Sequence, residues 1–231
     1  MPEITFIVDE LRGEILVEDS QDFRADAAYQ LRDALGEGRE IGCARPLEIV
    51  KPPVVSPANF SDEITVRIAG FYHNSLTEGP GRRSSVLFQF CPLKCKGCYV
   101  PQLHDKESGA VVPVKKLAEL LLDAKYERDG VSILGGEPLA QAKGLLALIK
   151  ELRRQGCPHI VCYSGYTLEI LCEKAINQPA IGACLDEIDV LIDGAYVESL
   201  ASGANLWTGS GNQRVIDMRL TRERNEIVLY S

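Results

Sequence analysis

The sequence has no apolar run long enough to cross a bilayer, no excess of positive charge, no internal repeat and no low-complexity tract. Each absence closes off a class of function. Without about 20 consecutive apolar residues there is no membrane-spanning helix. With 25 Lys and Arg against 33 Asp and Glu, the net charge is −8. That balance argues against a nucleic-acid partner, whose phosphates need a basic patch. The opening Met1-Pro2-Glu3-Ile4 is not a basic segment followed by an apolar one, so no secretory signal is expected and a cytoplasmic location is. Eight cysteines in such a compartment point to metal or redox use rather than disulfides. What remains is a chain of 231 residues, 45% hydrophobic, enough for one ordinary domain with an appendage.

The cysteines are not spread evenly. Cys91, Cys95 and Cys98 follow the spacing C-x3-C-x2-C within Phe90-Cys91-Pro92-Leu93-Lys94-Cys95-Lys96-Gly97-Cys98-Tyr99. Thiolates are soft ligands suited to iron–sulfur clusters. Three this close can converge on one face of a [4Fe–4S] cube, and no fourth cysteine lies nearby. One iron would then be open, the mark of a catalytic rather than a structural metal site. The competing reading is a zinc knuckle short of a ligand, with His104 as the local candidate. Pro92 and Gly97 suit a tight loop. Lys94 and Lys96 either depress the thiol pKa values or belong to a solvated loop. Cys157, Cys162, Cys172 and Cys184 fall in or beside apolar runs and are expected in the core, and Cys43 shows no metal spacing.

Periodicity divides the chain. Residues 4–9 and 14–18 read as strands and 22–35 as a helix, a small ββα appendage. Pro46, Pro52, Pro53 and Pro57 mark a linker, giving an N-terminal unit over 1–58 and a main domain over 59–231. From residue 64 onward, strands at 64–68, 86–90, 131–134, 160–163 and 188–192 alternate with helices at 114–124, 140–155 and 167–177. This α/β pattern predicts a parallel sheet with too few units for a closed barrel. Each Gly-rich or polar motif follows an apolar strand directly. In parallel α/β folds the strand C-termini share one rim, so the Cys loop, Gly135–Glu137, Ser164–Tyr166 and Asp193 should meet in space.

The cysteine motif resembles that of radical S-adenosylmethionine (SAM) enzymes. Four further blocks narrow the resemblance to the activating enzymes of anaerobic ribonucleotide reductase. They are Glu78–Arg82, Gly135-Gly136-Glu137-Pro138-Leu139, Tyr163–Thr167, and the pair Asp189–Gly194 and Gly209–Arg214. The resemblance implies a partial (β/α) barrel, with a [4Fe–4S] cluster on Cys91, Cys95 and Cys98 as the catalytic metal site and SAM on its open iron. It implies a reaction that leaves a glycyl radical on a large partner enzyme, such as anaerobic ribonucleotide reductase, with flavodoxin or ferredoxin as electron donor.

The same resemblance assigns SAM-binding roles residue by residue. Tyr99 would lie against adenine, against a plain reading as a core tyrosine. Gly135, Gly136 and Glu137 would bind the methionyl ammonium, against a tight turn with Glu137 as a cap. Ser164 would bind ribose or carboxylate, against an ordinary helix cap. Asp193 would sit near a cation and the SAM carboxylate, against a structural carboxylate. Arg82 or Arg83 would face the rim and hold an anion or an acidic segment of the partner, against a surface loop. The Gly209–Arg214 block has no chemistry legible in its residue types. The rival functions are a small radical SAM enzyme acting on a metabolite or modified nucleoside precursor, and a non-catalytic iron–sulfur electron carrier.

Overall fold

The computed structural model describes residues 6–9, 14–17 and 63–230. The chain divides into two units, Met1–Glu48 and Ile49–Ser231. In the first, β1 (Phe6–Asp9) and β2 (Glu14–Val17) pair antiparallel, with Phe6 opposite Val17. The helix expected at 22–35 and the boundary expected at 58 lie outside the described residues.

The second unit is built on a seven-stranded sheet of order β5-β3-β4-β6-β7-β8-β9. The strands are β3 (Thr65–Ser75), β4 (Arg83–Phe88), β5 (Ala110–Pro113), β6 (Gly130–Gly135), β7 (Ile160–Tyr163), β8 (Val190–Asp193) and β9 (Arg214–Asp217). β4, β6, β7 and β8 run parallel, with Phe88 opposite Gly135, Val131 opposite Ile160 and Val161 opposite Val190. β3 lies antiparallel between β4 and β5, and β9 is antiparallel to β8. The sheet is open, with β5 and β9 at its edges. The expectation of a parallel sheet therefore holds for its centre and fails for its margins.

The helices are α1 (Val114–Leu121), α2 (Ala142–Arg154), α3 (Leu168–Asn177), α4 (Pro179–Glu187) and α5 (Met218–Arg224). α2 ends where Gly156 takes φ +88°, the left-handed conformation that glycine adopts without strain. Along α3, Leu168 and Leu171 are buried while Cys172, expected in the core, is exposed. The buried stripe there runs through 168, 171 and 175, and Cys172 falls just outside it. Cys157, Cys162 and Cys184 are buried as expected.

Strand alternation sorts the central strands onto two faces. Val86, Phe88, Val131, Ile133, Ile160, Cys162 and Leu191 join the helices in the main core. Val161, Val190 and Ile192 belong to a second, smaller cluster with Tyr163, Trp207, Val215 and Tyr230. By the same alternation Leu134 and Tyr163 lie on the face of the second cluster, which among the described residues includes no helix residue, and both line the site.

Candidate functional site

The cysteine loop leaves β4 at its C-terminal end. Phe90 and Lys94 adopt φ of 76° and 48°, and Gly97 adopts 72°. A Cβ on Gly97 would come within 2.7 Å of the Glu198 carboxyl carbon, a flexible side-chain end that can turn aside, so it is the positive φ that favours glycine there. Lys96 is solvated and reaches Glu198 at 3.8 Å. The lysines do not depress Cys91. Burial pushes that thiol up, partly offset by the backbone N–H groups of Leu93 and Lys94.

The end of β6 docks directly on the start of this loop. Gly136 N–H donates to Phe88 O at 2.8 Å, and Glu137 N–H to Phe90 O at 2.9 Å. A Cβ on Gly135 would stand 2.5 Å from Phe88 N, and one on Gly136 would stand 2.3 Å from Phe90 O. The two glycines are what allow the strand ends to come this close. From the next strand end, Gly165 meets Leu93 of the Cys loop, whose Cδ1 would stand 2.3 Å from a Cβ there and would have to turn aside.

These segments enclose one cavity of about 210 Å³. Cys91, Cys95 and Cys98 line it together with Gly135, Gly136, Ser164 and Gly165, and Leu134 and Tyr163 join them from the strands. The expected convergence is found for the Cys loop, Gly135–Gly136 and Ser164–Gly165, whereas Tyr166, expected with them, packs against the main core and does not line the cavity. Tyr99 also lines the cavity and is 72% exposed, which removes its reading as a core tyrosine. It packs on Tyr196 at 4.9 Å between ring centroids, and its hydrogen bond pushes the Tyr196 phenol up to about 12. His104 lines the same cavity. Tyr196 is a cavity residue that sequence reasoning missed, and Gly194 and Gln213 are cavity residues that stood in the matched blocks without an assigned role. Gly194 directly follows a strand end and was within reach of the rim argument; Tyr196 carries no such signal.

Both carboxylates of the expected site are placed differently from the thiols. Glu137 is fully buried and does not line the cavity. Its oxygens accept from Leu139 N–H at 3.0 Å, Gly165 N–H at 2.9 Å and the Ser164 hydroxyl at 3.0 and 3.1 Å. Burial raises its pKa to about 7, and these donors oppose the rise. Asp193 is also fully buried and outside the cavity lining. Along β8 it alternates with the second cluster and so points to the helix-bearing face. There it accepts from Leu168 N–H at 2.7 Å, at the start of α3, and from Arg214 Nε at 2.9 Å. Arg214 spans Asp193 and Glu169 and holds the Glu169 carboxyl down at about 2.

The Gly209–Arg214 block now has a physical role. Gln213 accepts from Gly209 N–H at 2.7 Å and donates to Gly194 O at 2.8 Å. Asn212 donates to Ala195 O at 2.7 Å, and Ser210 accepts from Val197 N–H at 3.1 Å. The block fastens the 194–197 loop that carries Tyr196.

Arg82 and Arg83 correct another expectation. They stand at the start of β4, at the opposite end of the strand from the Cys loop. Arg83 is fully buried and donates to Ser132 Oγ at 3.0 Å, Pro80 O at 3.1 Å and Val131 O at 2.7 Å. Arg82 N–H donates to Asp129 at 2.7 Å. Neither faces the rim, because a residue that begins a parallel strand lies a full strand length from one that ends it.

Among the described residues no three His, Cys, Asp or Glu side chains crowd around a single point. The ligands of a cube each take a different iron, and three half-buried thiols around one cavity are a donor set that fits one. No helix among the described residues is long and apolar enough to cross a membrane.

Residues 77–216 match the family described as 4Fe-4S single cluster domain. The anaerobic ribonucleoside-triphosphate reductase-activating protein of Salmonella typhimurium is 31% identical over 161 residues, which cover 67% of this chain and 100% of that protein. A putative glycyl-radical enzyme activating enzyme of Haemophilus influenzae is 37% identical over 103 residues, 44% of this chain and 38% of its own. Among solved structures, QueE from Escherichia coli aligns with a TM-score of 0.40 at 19% identity, over 47% of this chain and 56% of that one.

Proposed function

This chain belongs to the family of anaerobic ribonucleoside-triphosphate reductase-activating proteins, and on that premise we propose that it is a radical SAM enzyme that installs a glycyl radical on a partner enzyme. The observation that carries the reading is the meeting of the cysteine triad with two glycine-opened strand ends in one cavity. Cys91, Cys95 and Cys98 would hold a [4Fe–4S] cluster with one iron left for SAM. When bound, the pair would supply hydrogen-atom abstraction from a glycine Cα, the reduced cluster giving the one electron that breaks the S–C5′ bond of SAM and methionine leaving.

The chain's own residues bind, orient and shield. Gly135 and Gly136 bring main chain, rather than side chain, up to the methionyl end of SAM. Ser164 lines the same wall, and Tyr99 with Tyr196 offers an aromatic face to the adenine at the mouth. Glu137 and Asp193 serve from behind: one ties the β6 end to Ser164 and Gly165, the other ties β8 to α3 and Arg214. Leu134 and Tyr163 give the cavity an apolar floor, which limits water around a reactive species. The open sheet suits a partial barrel whose uncovered side admits a peptide loop from a large glycyl-radical subunit such as anaerobic ribonucleotide reductase. A flavodoxin or ferredoxin is the fitting donor, in the cytoplasm.

The test is radical transfer. Reduced chain, SAM and the partner subunit should give an organic radical by electron paramagnetic resonance (EPR). Deuterium placed on the partner's glycine should appear in 5′-deoxyadenosine. Deuterium arriving only from a small metabolite would replace this reading with the metabolite rival.

A further inference from the structure

Among the described residues, two buried side-chain nitrogens find no hydrogen-bond partner: His104 Nε2 and Arg128 Nε. They differ in kind. Arg128 Nε belongs to a guanidinium that already donates through another nitrogen to Asp123 O. His104 Nε2 sits on a side chain that lines the cysteine cavity. A buried ring nitrogen left without a partner loses its water and gains nothing in return, so such atoms are rare and call for an explanation.

The surrounding structure holds His104 in place. It ends the short turn Pro101–His104, six residues after Cys98. Leu103 N–H donates to Val100 O at 2.9 Å, and the Leu103 side chain is buried. Gln89, itself 2% exposed, donates from one amide nitrogen to Gln102 O at 3.1 Å and to Asp105 O at 2.8 Å. Those two carbonyls flank His104 in sequence. Gln89 is positioned in turn by Gln141, which donates to its carbonyl at 3.0 Å. A buried network therefore fixes the backbone on both sides of a histidine whose own ring nitrogen is unspent.

We propose that His104 is a further cofactor-contact residue, whose Nε2 hydrogen-bonds the group held in the cysteine cavity. The proposal rests on the cluster-and-SAM reading of that cavity. It is proposed as a contact and not as a fourth cluster ligand, and the iron content of His104→Leu tells the two apart. An imidazole nitrogen suits either of two partners there: a cluster or thiolate sulfur, or a polar atom of SAM.

The test uses full-length chain, reconstituted anaerobically, as wild type, His104→Leu and His104→Gln. Gln can place an amide near the position of Nε2; Leu cannot hydrogen-bond. Iron and sulfide content and the thermal midpoint should be unchanged in both variants. For a SAM partner, His104→Leu should weaken SAM binding about tenfold, read from the SAM-induced change in the cluster EPR signal, and His104→Gln should restore it. For a sulfur partner, the cluster reduction potential measured without SAM should shift in the Leu variant instead, with partial return in the Gln variant. Wild-type potential and SAM affinity in His104→Leu would overturn the proposal. So would loss of iron, which makes the residue a ligand, or a lowered thermal midpoint alone, which makes it structural. A chain that shows the His104 effect yet transfers no radical to a partner fails the functional reading and leaves this one standing.

Discussion

The two ends of the parallel strands β4, β6 and β7 use similar residue types to opposite effect. At the N-terminal end, Arg83 is fully buried and its guanidinium is spent on Ser132, Pro80, Val131 and His159. At the C-terminal end, glycines stand where side chains would clash, the thiols are half-buried, Tyr99 is exposed and His104 Nε2 is unpartnered. One end is closed by internal bonding; the other keeps binding capacity in reserve. A polar residue beside an apolar strand is thus ambiguous until the direction of the strand is known. Within the rim the same distinction recurs: Glu137 and Asp193 are saturated by protein donors, whereas the cysteines are not.

The largest break in this comparison comes at the closed end. Arg83→Met removes a buried charged donor from the Ser132 hydroxyl and from the carbonyls of Pro80, Val131 and His159, of which His159 O keeps the Val131 N–H and the Ser132 hydroxyl keeps Glu78 O. Chemical denaturation should show a loss of about 3 kcal/mol or more. Iron per folded chain and SAM affinity should stay at wild-type levels. Weaker SAM binding with unchanged stability would instead move Arg83 to the rim and erase the contrast between the ends.

Glu137 sharpens the comparison within the rim. Its folded pKa is raised from 4.5 to about 7, chiefly by burial. The native state therefore binds this proton more tightly than the unfolded chain. Its stabilising effect is full below pH 4.5 and is lost as pH rises through 7, by about 3 kcal/mol in all. Denaturation of wild type and Glu137→Gln across this window isolates the effect, because other titrations cancel in the difference. Wild type should lose stability relative to the variant as pH rises. A difference that does not change with pH would mean that the carboxylate reaches solvent or a ligand, as a direct SAM contact would require.

Much of this was legible in the sequence. The triad is local, and loops that follow apolar runs in an α/β chain share one rim, so Cys91–Cys98, Gly135–Gly136 and Ser164 were expected together and are. The margins of the sheet were not legible. β9 offers only Val215 and Ile216 as apolar residues between Arg214 and Asp217, and β5 is four residues ending in Pro113. Neither is long enough to establish a period. α4 begins directly after α3 at Pro179, so the two helices offer no intervening loop to mark them. The saturation of the carboxylates was also hidden. The partners of Glu137 lie up to 28 residues away, and Arg214 lies 21 residues beyond Asp193. A pattern within one strand does not say which face its last residue takes.

The central claim is that the open end of the strands holds a catalytic cluster on three cysteines. It is tested most directly by the formation of 5′-deoxyadenosine from SAM in reduced, anaerobically reconstituted chain. Wild type and Cys172→Ala should form it. Cys91→Ala, Cys95→Ala and Cys98→Ala should each lose both the full iron and sulfide content and the product. Full cluster content and SAM cleavage in any one of those three variants would contradict the account.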